Sequence, residues 1–289
     1  MSFTHIPVTS AEAAEVTATI MAMQAEPPVL PADADLTPVL PGLATWVTAP
    51  GTAGRTGVTV YVHGGGFEYT NPHLETVMAY RLSAATGRPA LRVEYRLAPE
   101  HRYPAALDDV LAVYRALLDR GVPASEIILA GESAGATLVL SALLVLREAG
   151  ERLPGGALAV SPQTDLALTG ASIDANDGKD FVNRAVLDHV RTQYLAGARP
   201  DEAPQSPLYG KPHGLPPLLL VAGTAEVLLD DARRFAEAVA ATGGPVELDL
   251  YEGLPHAFHA TMLAATPGPV AATLLRRITE WTERLPQIG

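Results

Sequence analysis

Short apolar runs alternate with segments of helical periodicity over most of the chain, which has 289 residues. Runs rich in β-branched and other apolar residues predict six strands, at residues 58–62, 90–95, 127–130, 157–160, 218–222 and 246–251. Apolar residues at helical spacing predict helices at about residues 106–119, 136–148, 184–195, 229–241 and 268–284. Because strands that alternate with helices favour a parallel sheet covered on both faces, the sequence predicts the α/β class.

The N-terminal segment is predicted to be a helix that packs against the rest of the chain. Thr9 and Glu12 have the spacing of a capping box at a helix N-terminus. Apolar residues then recur on one helix face, at Ala13, Val16, Ile20 and Met23. Residues 165–209 interrupt the alternation of strands and helices, and this insertion is long enough to form a lid together with the N-terminal helix.

Charge and composition exclude several classes of function. The chain has 20 basic and 32 acidic residues and a net charge of −12, which disfavours binding to nucleic acid or to an anionic membrane surface. It contains no cysteine, so disulfides, a thiolate nucleophile and sulfur-ligated zinc are excluded. No apolar run approaches the ~18 residues of a membrane helix, and the first residues lack the pattern of a secretory signal. We therefore expect a cytoplasmic protein.

The residues Gly-Glu-Ser-Ala-Gly at positions 131–135 lie between a predicted strand and a predicted helix. A G-x-S-x-G segment in this context is typical of a nucleophile elbow, a sharp turn that exposes a serine at the end of a sheet. The flanking glycines remove side chains that would collide with the neighbouring strand and helix. Ser133 is therefore the candidate nucleophile.

A second glycine-rich segment, His-Gly-Gly-Gly-Phe at positions 63–67, follows another predicted strand. Consecutive glycines let backbone N–H groups approach a substrate oxygen closely, so this loop can form an oxyanion hole together with the N–H of Ala134. A glycine-rich loop can also bind phosphate, but the chain contains neither G-x-x-x-x-G-K-[ST] nor G-x-G-x-x-G.

A serine nucleophile needs a base, and the base needs a third group to orient it. The chain order in this class of fold is serine, acid, histidine, and only His256 and His259 lie beyond the strand that precedes the expected acid. We favour His256 because it lies in the loop directly after the last predicted strand, whereas His259 enters the following segment. Glu226 lies just past a strand end and is the favoured acid. Asp230 is the alternative, since it falls at the start of the next helix.

These segments resemble the hormone-sensitive-lipase branch of the α/β-hydrolase superfamily, the bacterial family IV esterases. The resemblance extends over about residues 58–284 and includes Tyr-Arg-Leu-Ala-Pro-Glu-His at 95–101, Ser-Pro at 161–162 and Leu-Pro-Pro at 215–217. It implies an α/β-hydrolase fold in a single domain of residues 1–289. The fold would have a mostly parallel eight-stranded sheet flanked by helices, and a helical cap from about residues 1–45 and 165–205.

The resemblance also implies roles for individual residues. The implied triad is Ser133, Glu226 and His256. The implied oxyanion hole consists of the N–H groups of Gly65, Gly66 and Ala134, with Gly64 as the alternative within the loop. The family needs no cofactor and no metal, acts on small acyl esters, and commonly forms a homodimer.

Four positions depart from the family pattern. The acid of the family is usually aspartate, and Glu226 is one methylene longer. Glu132 replaces a common aspartate within the elbow, Ala136 a common glycine after it, and Gln163 a frequent aromatic residue. These last three changes can alter the shape of the pocket or the packing of the cap.

The expected function is that of a serine carboxylesterase for short- to medium-chain acyl esters, acting through an acyl-enzyme. Two alternatives stay open. The same residues could remove an acyl group from an amide or an acetyl group from a small metabolite, and the fold could also serve as a non-catalytic ligand receptor.

Overall fold

The computed structural model describes residues 2–25, 27–40 and 42–286, which contain one nine-stranded sheet. Its strands are β1 (Ser2–Ile6), β2 (Asp35–Val39), β3 (Ala44–Thr48), β4 (Val58–Val62), β5 (Ala90–Val93), β6 (Ile127–Glu132), β7 (Gly156–Val160), β8 (Leu218–Gly223) and β9 (Val246–Tyr251). Their order across the sheet is β1-β9-β8-β7-β6-β4-β5-β3-β2. In this order across the sheet, the seven strands β1, β9, β8, β7, β6, β4 and β5 run parallel to one another. Strand β3 is antiparallel to both of its neighbours, β5 and β2.

The mostly parallel arrangement is confirmed, and the six strands predicted from apolar runs correspond to β4 to β9. The expected count of eight strands is wrong by one, and the apolar runs marked none of the three N-terminal strands. The edge strand β1 pairs in parallel with β9, at the far end of the chain. Its five residues are mostly exposed, so no buried apolar run marks the strand in the sequence.

Helices cover both faces of the sheet. They are α1 (Ser10–Ala25), α2 (Pro72–Thr86), α3 (Ala105–Asp119), α4 (Ala134–Glu148), α5 (Ser172–Ala175), α6 (Arg184–Leu195), α7 (Leu229–Ala241) and α8 (Pro269–Glu283). One face of the sheet packs against α3, α4 and α7, and the other packs against α1, α2 and α8. Successive side chains of a central strand alternate between the two cores, as Leu129 and Ala130 of β6 do.

The N-terminal helix forms as the sequence predicts. Thr9 and Glu12 make the reciprocal capping-box bonds, with the Thr9 N–H 2.8 Å from Oε2 of Glu12 and the Glu12 N–H 3.3 Å from Oγ1 of Thr9. Val16 on the apolar face is 3% exposed and packs into the core beside α8. The helix is therefore docked on the domain.

The two segments expected to form a cap have different positions. Strands β1 and β2 of the N-terminal segment are hydrogen-bonded into the sheet. The insertion carries α5 and α6, and α6 faces the carboxyl ends of the central strands. A cap built from both segments stays a prediction. None of the helices in the described ranges combines the length and the apolar character needed to cross a bilayer.

Candidate active site

Ser133 lies in a sharp turn between β6 and α4, as the elbow motif predicts. Its backbone has φ 51° and ψ −123°, a conformation that a residue with a side chain rarely adopts. Gly135 allows this turn to lie close to the end of β4, because a Cβ at that position would overlap the backbone oxygens of Val62 and His63. The turn places the serine hydroxyl at the carboxyl edge of the sheet, at the N-terminus of α4.

The three residues expected to form a triad meet at this edge. Nε2 of His256 lies 2.9 Å from Oγ of Ser133, and Nδ1 of His256 lies 3.2 Å from Oε2 of Glu226. Glu226 follows β8 and His256 follows β9, so the carboxyl ends of neighbouring parallel strands bring them to the serine. A continuous hydrogen-bonded chain therefore runs from the hydroxyl through the imidazole to the carboxylate.

Glu226 is held rigidly in spite of its additional methylene group. The residue is fully buried. Its Oε1 accepts hydrogen bonds from the Ser161 hydroxyl at 2.7 Å and from the Gly223 N–H at 2.6 Å. These two donors fix one carboxylate oxygen and leave the other for Nδ1 of His256. Ser161 belongs to a family segment, but its sequence context did not reveal this role.

The surroundings of His256 favour its protonated form. Burial alone would lower the pKa of His256, but the hydrogen bond and charge of Glu226 outweigh it, and the charges of Asp180 and Glu132 add to this effect. The pKa of His256 is therefore raised above its ordinary value of 6.5. These carboxylates would stabilise the imidazolium that forms when the ring accepts a proton.

Asp180 of the insertion connects the loops that carry the acid and the base. Its Oδ1 accepts the N–H of His256 at 2.7 Å, and its Oδ2 accepts the N–H of Val227, next to Glu226, at 2.7 Å. Burial raises the pKa of Asp180, although the charge of His256 and these two N–H groups counteract it. No sequence motif marks this residue, because its partners lie far along the chain.

The glycine loop after β4 has one N–H group that is already occupied. The N–H of Gly64 donates to Oε1 of Glu132 at 2.6 Å. Within the described ranges, the N–H groups of Gly65, Gly66 and Ala134 have no protein acceptor. Because the N–H of Gly64 is occupied, the contacts favour Gly65 over Gly64 as a donor to a substrate oxygen.

His259, the alternative base, pairs with a different residue. Its Nε2 lies 3.3 Å from Oε2 of Glu132, whose other oxygen also accepts the Tyr61 hydroxyl at 3.1 Å. Although burial alone would raise it, the bond and charge of His259 and the N–H of Gly64 hold the pKa of Glu132 below its ordinary value. In the sequence, Glu132 stands out only as a departure from the family pattern, and no motif predicts its pairing with His259.

Asp230, the alternative acid, lies in a local contact away from the imidazole. Its carboxylate accepts the Ser172 N–H at 2.9 Å, and its own N–H donates to the Ser172 hydroxyl at 3.0 Å. The structure therefore places Glu226, and not Asp230, beside His256.

A cavity of about 380 Å³ opens above Ser133. Its polar side includes Gly65, Gly66 and His256, and its apolar wall consists of Val182, Val186, Leu187, Val190 and Leu228. Across the described ranges, no group of three or more histidine, cysteine or carboxylate side chains is arranged to hold a metal ion.

A serine in a strained strand-to-helix turn, bonded to a histidine and a carboxylate from later strand ends, is the arrangement of an α/β hydrolase. The family model for the alpha/beta hydrolase fold matches residues 59–260. Sequence relatives and solved structures narrow this class further.

An acetyl-hydrolase from Streptomyces hygroscopicus is 39% identical over 217 residues, which cover 75% of this chain and 72% of that protein. An esterase from Acinetobacter venetianus is 35% identical over 207 residues, which cover 70% of this chain and 67% of that protein. The crystal structure of an esterase from the bacterial hormone-sensitive lipase family has a TM-score of 0.87 at 33% identity, covering 96% of this chain and 99% of the other. The chain belongs to this hormone-sensitive-lipase-like family of bacterial esterases.

Proposed function

We propose that the chain is a serine carboxylesterase that hydrolyses small acyl esters through Ser133, His256 and Glu226. The observation that carries this proposal is the hydrogen-bonded chain between these side chains, with distances of 2.9 and 3.2 Å. The names of the relatives, esterase and acetyl-hydrolase, support the same class of reaction.

In the first half of the reaction, Oγ of Ser133 attacks the ester carbonyl while Nε2 of His256 accepts the hydroxyl proton. Glu226 keeps the proton of the neutral ring on Nδ1, so that Nε2 is free to act as the base. The imidazolium then gives its proton to the departing alcohol, and the acyl group stays on Ser133. In the second half, Nε2 of His256 takes a proton from a water molecule, which attacks the acyl carbonyl. The bond between the acyl group and Oγ of Ser133 then breaks, Oγ takes the proton from the imidazolium, and the carboxylic acid leaves.

The negative charge that develops on the carbonyl oxygen would be bound by the N–H groups of Gly65, Gly66 and Ala134. Such donors stabilise the transition state more than the ground state when they point at the position of the oxyanion. The N-terminus of α4 adds a favourable dipole at the same place. Glu132 supports this arrangement by holding the N–H of Gly64 and with it the start of the loop.

The size of the cavity supports short- to medium-chain acyl groups. Its volume of about 380 Å³ lies near the lower end of the range for small-molecule sites. Three residues of α6, Val186, Leu187 and Val190, form most of its apolar wall, which suits an alkyl chain.

A series of p-nitrophenyl esters, from acetate to dodecanoate, tests this proposal when it is run with the wild type and the Ser133→Ala variant. We expect kcat/KM to be highest for short and medium chains and to fall for longer ones, and all turnover to fall steeply in Ser133→Ala. Hydrolysis that survives Ser133→Ala unchanged would contradict the proposal.

The resemblance to an acetyl-hydrolase supports acetyl esters as a second candidate substrate class. A much higher kcat/KM for the acetate than for the other esters of the same series would support this substrate class. Matched p-nitroanilides would show whether amides are cleaved at a comparable rate.

A further inference from the structure

Two polar side chains, those of Glu132 and His259, form a pair beside the glycine loop, and the proposed reaction makes no use of the histidine. Nε2 of His259 lies 3.3 Å from Oε2 of Glu132, and both residues line the cavity above Ser133. His259 is 5% exposed. A carboxylate so close to the nucleophile opposes the negative charge that develops on the substrate, and its partial burial is costly. A pair in this position needs a physical reason.

One oxygen of Glu132 holds the start of the glycine loop. Its Oε1 accepts the N–H of Gly64 at 2.6 Å and the hydroxyl of Tyr61 at 3.1 Å. The carboxylate also packs directly against the loop backbone, since a Cβ at Gly64 would overlap Oε2. Gly65, the next residue, carries the first of the proposed oxyanion donors. The position of the carboxylate therefore influences the position of this donor.

The other oxygen of Glu132 is paired with His259. Among the described residues, the ring of His259 is the one side chain that pairs with Oε2. An ionised carboxylate can only accept, so the proton of the neutral ring belongs on Nε2, facing Glu132. Nδ1 of His259 is buried and has no partner in the same part of the chain. The polar contact of the ring is thus directed at Glu132.

The pair connects two loops of the site. His259 lies three residues after the proposed base His256, in the segment that follows β9, whereas Gly64 lies in the loop after β4. Although burial alone would raise it, the contacts with His259 and with the N–H of Gly64 hold the pKa of Glu132 below its ordinary value. The carboxylate therefore stays ionised near neutral pH, and its bond to Gly64 is charge-assisted, which makes it stronger than a bond between neutral groups.

We propose that His259 is a positioning residue of the oxyanion hole, which acts through Glu132. By holding Oε2, the ring keeps the carboxylate turned so that Oε1 binds the N–H of Gly64. This bond in turn orients the N–H groups of Gly65 and Gly66 toward the substrate oxygen. His259 itself does not touch the reacting atoms. The inference rests on the proposed esterase function and adds a residue to its machinery.

Substitutions of His259 test the inference. His259→Met and His259→Leu remove the donor, whereas His259→Gln has nearly the shape of the methionine variant and keeps an N–H group. For each enzyme, kcat and KM are measured with p-nitrophenyl butyrate, together with the inhibition constant Ki of 1,1,1-trifluoropentan-2-one. This ketone forms an adduct with an active serine, and its oxygen occupies the position of the oxyanion, so that Ki reports on the oxyanion hole. His213→Leu, the same change at an exposed histidine, is the control.

We expect kcat/KM to fall about tenfold in His259→Met and His259→Leu, and Ki to rise by a similar factor, the effect of one hydrogen bond to a charged group. KM should change less than about threefold, because the lost interaction acts in the transition state. His259→Gln should keep kcat/KM within about threefold of the wild type, and His213→Leu within about twofold.

A double-mutant cycle tests whether His259 acts through Glu132. In Glu132→Gln, the amide oxygen can still accept from Gly64, but the NH₂ group faces the ring and the charged pair is lost. Adding His259→Leu to Glu132→Gln should therefore lower kcat/KM by less than about twofold.

A folded His259→Met or His259→Leu enzyme with kcat/KM within about twofold of the wild type would overturn the inference. A loss that leaves Ki unchanged, or that is equally large with and without the carboxylate of Glu132, would overturn it as well. Thermal melting of each variant establishes which are folded. These results would leave the esterase proposal intact as long as butyrate hydrolysis depends on Ser133. Hydrolysis that survives in Ser133→Ala would instead refute the proposed function itself.

Discussion

The substitution Glu226→Gln tests how the acid orients the base. Oε1 of Glu226 accepts from the Ser161 hydroxyl and from the Gly223 N–H, and a backbone N–H can only donate. A glutamine must therefore place its amide oxygen there, which leaves its NH₂ group facing Nδ1 of His256. The ring must then accept at Nδ1 and carry its proton on Nε2, so that it cannot take the proton of Ser133.

The expected loss in kcat is about 10³- to 10⁴-fold, which corresponds to about 4–5.5 kcal/mol in the activation barrier. The KM should change much less, because Glu226 is fully buried and does not contact the cavity. Glutamine has nearly the same shape as glutamate and keeps both donors paired, so the melting temperature should change little.

The assay is the initial rate of p-nitrophenyl butyrate hydrolysis near pH 8, followed by a thermal melt of each variant. Asp230→Asn is the matched control, since Asp230 pairs with Ser172 and not with His256, and its kcat should stay within about threefold of the wild type. A Glu226→Gln enzyme that keeps more than a tenth of the wild-type kcat would refute the reasoning. An equally large loss in Asp230→Asn would do so as well.

Three further perturbations address the base, the insertion and the oxyanion loop. kcat/KM should fall as the pH drops through the pKa of His256, because only the neutral ring accepts a proton. The midpoint should lie above pH 6.5, since nearby carboxylates favour the charged ring, and a flat pH–rate profile would contradict this. Asp180→Asn should lower kcat about tenfold and move that midpoint to lower pH, because it removes a negative charge near the ring. Asp177→Asn, an exposed neighbour, is its control, and an unchanged midpoint in Asp180→Asn would exclude the electrostatic effect. Gly65→Ala should lower kcat about 100-fold by displacing the loop, since the added Cβ would overlap the Tyr69 carbonyl and a φ of +92° disfavours alanine. A normal kcat in the folded variant would argue against the loop as oxyanion hole.

Much of the fold could be predicted from the sequence, because the central strands β4 to β9 are short, buried apolar runs. The N-terminal strands gave a weaker signal. β2 contains Pro38, and a proline in so short a segment looks like a turn in the sequence. The strand can form because it lies at an edge of the sheet, where the missing N–H of proline is tolerated. β1 is exposed and pairs with a strand more than 200 residues away, so its formation depends on tertiary contacts. Helix α2 (Pro72–Thr86) was not located either, because polar residues interrupt its apolar face.

The candidate site could be predicted where a motif and the chain order act together. The elbow identified Ser133, and the order of strands led to Glu226 and His256. Asp180 could not be found in this way, because only the folded insertion brings its carboxylate to the loops after β8 and β9. Gln163 stood out as a departure from the family pattern, but the lack of a partner for its amide is a property of the folded chain.

The most direct test of the central claim is covalent labelling with a fluorophosphonate, followed by intact-mass measurement and peptide mapping. Ser133, activated by His256, should form a single adduct, and labelling should slow sharply in His256→Ala and vanish in Ser133→Ala. The absence of an adduct on the folded wild type, or an adduct that persists in Ser133→Ala, would contradict the account.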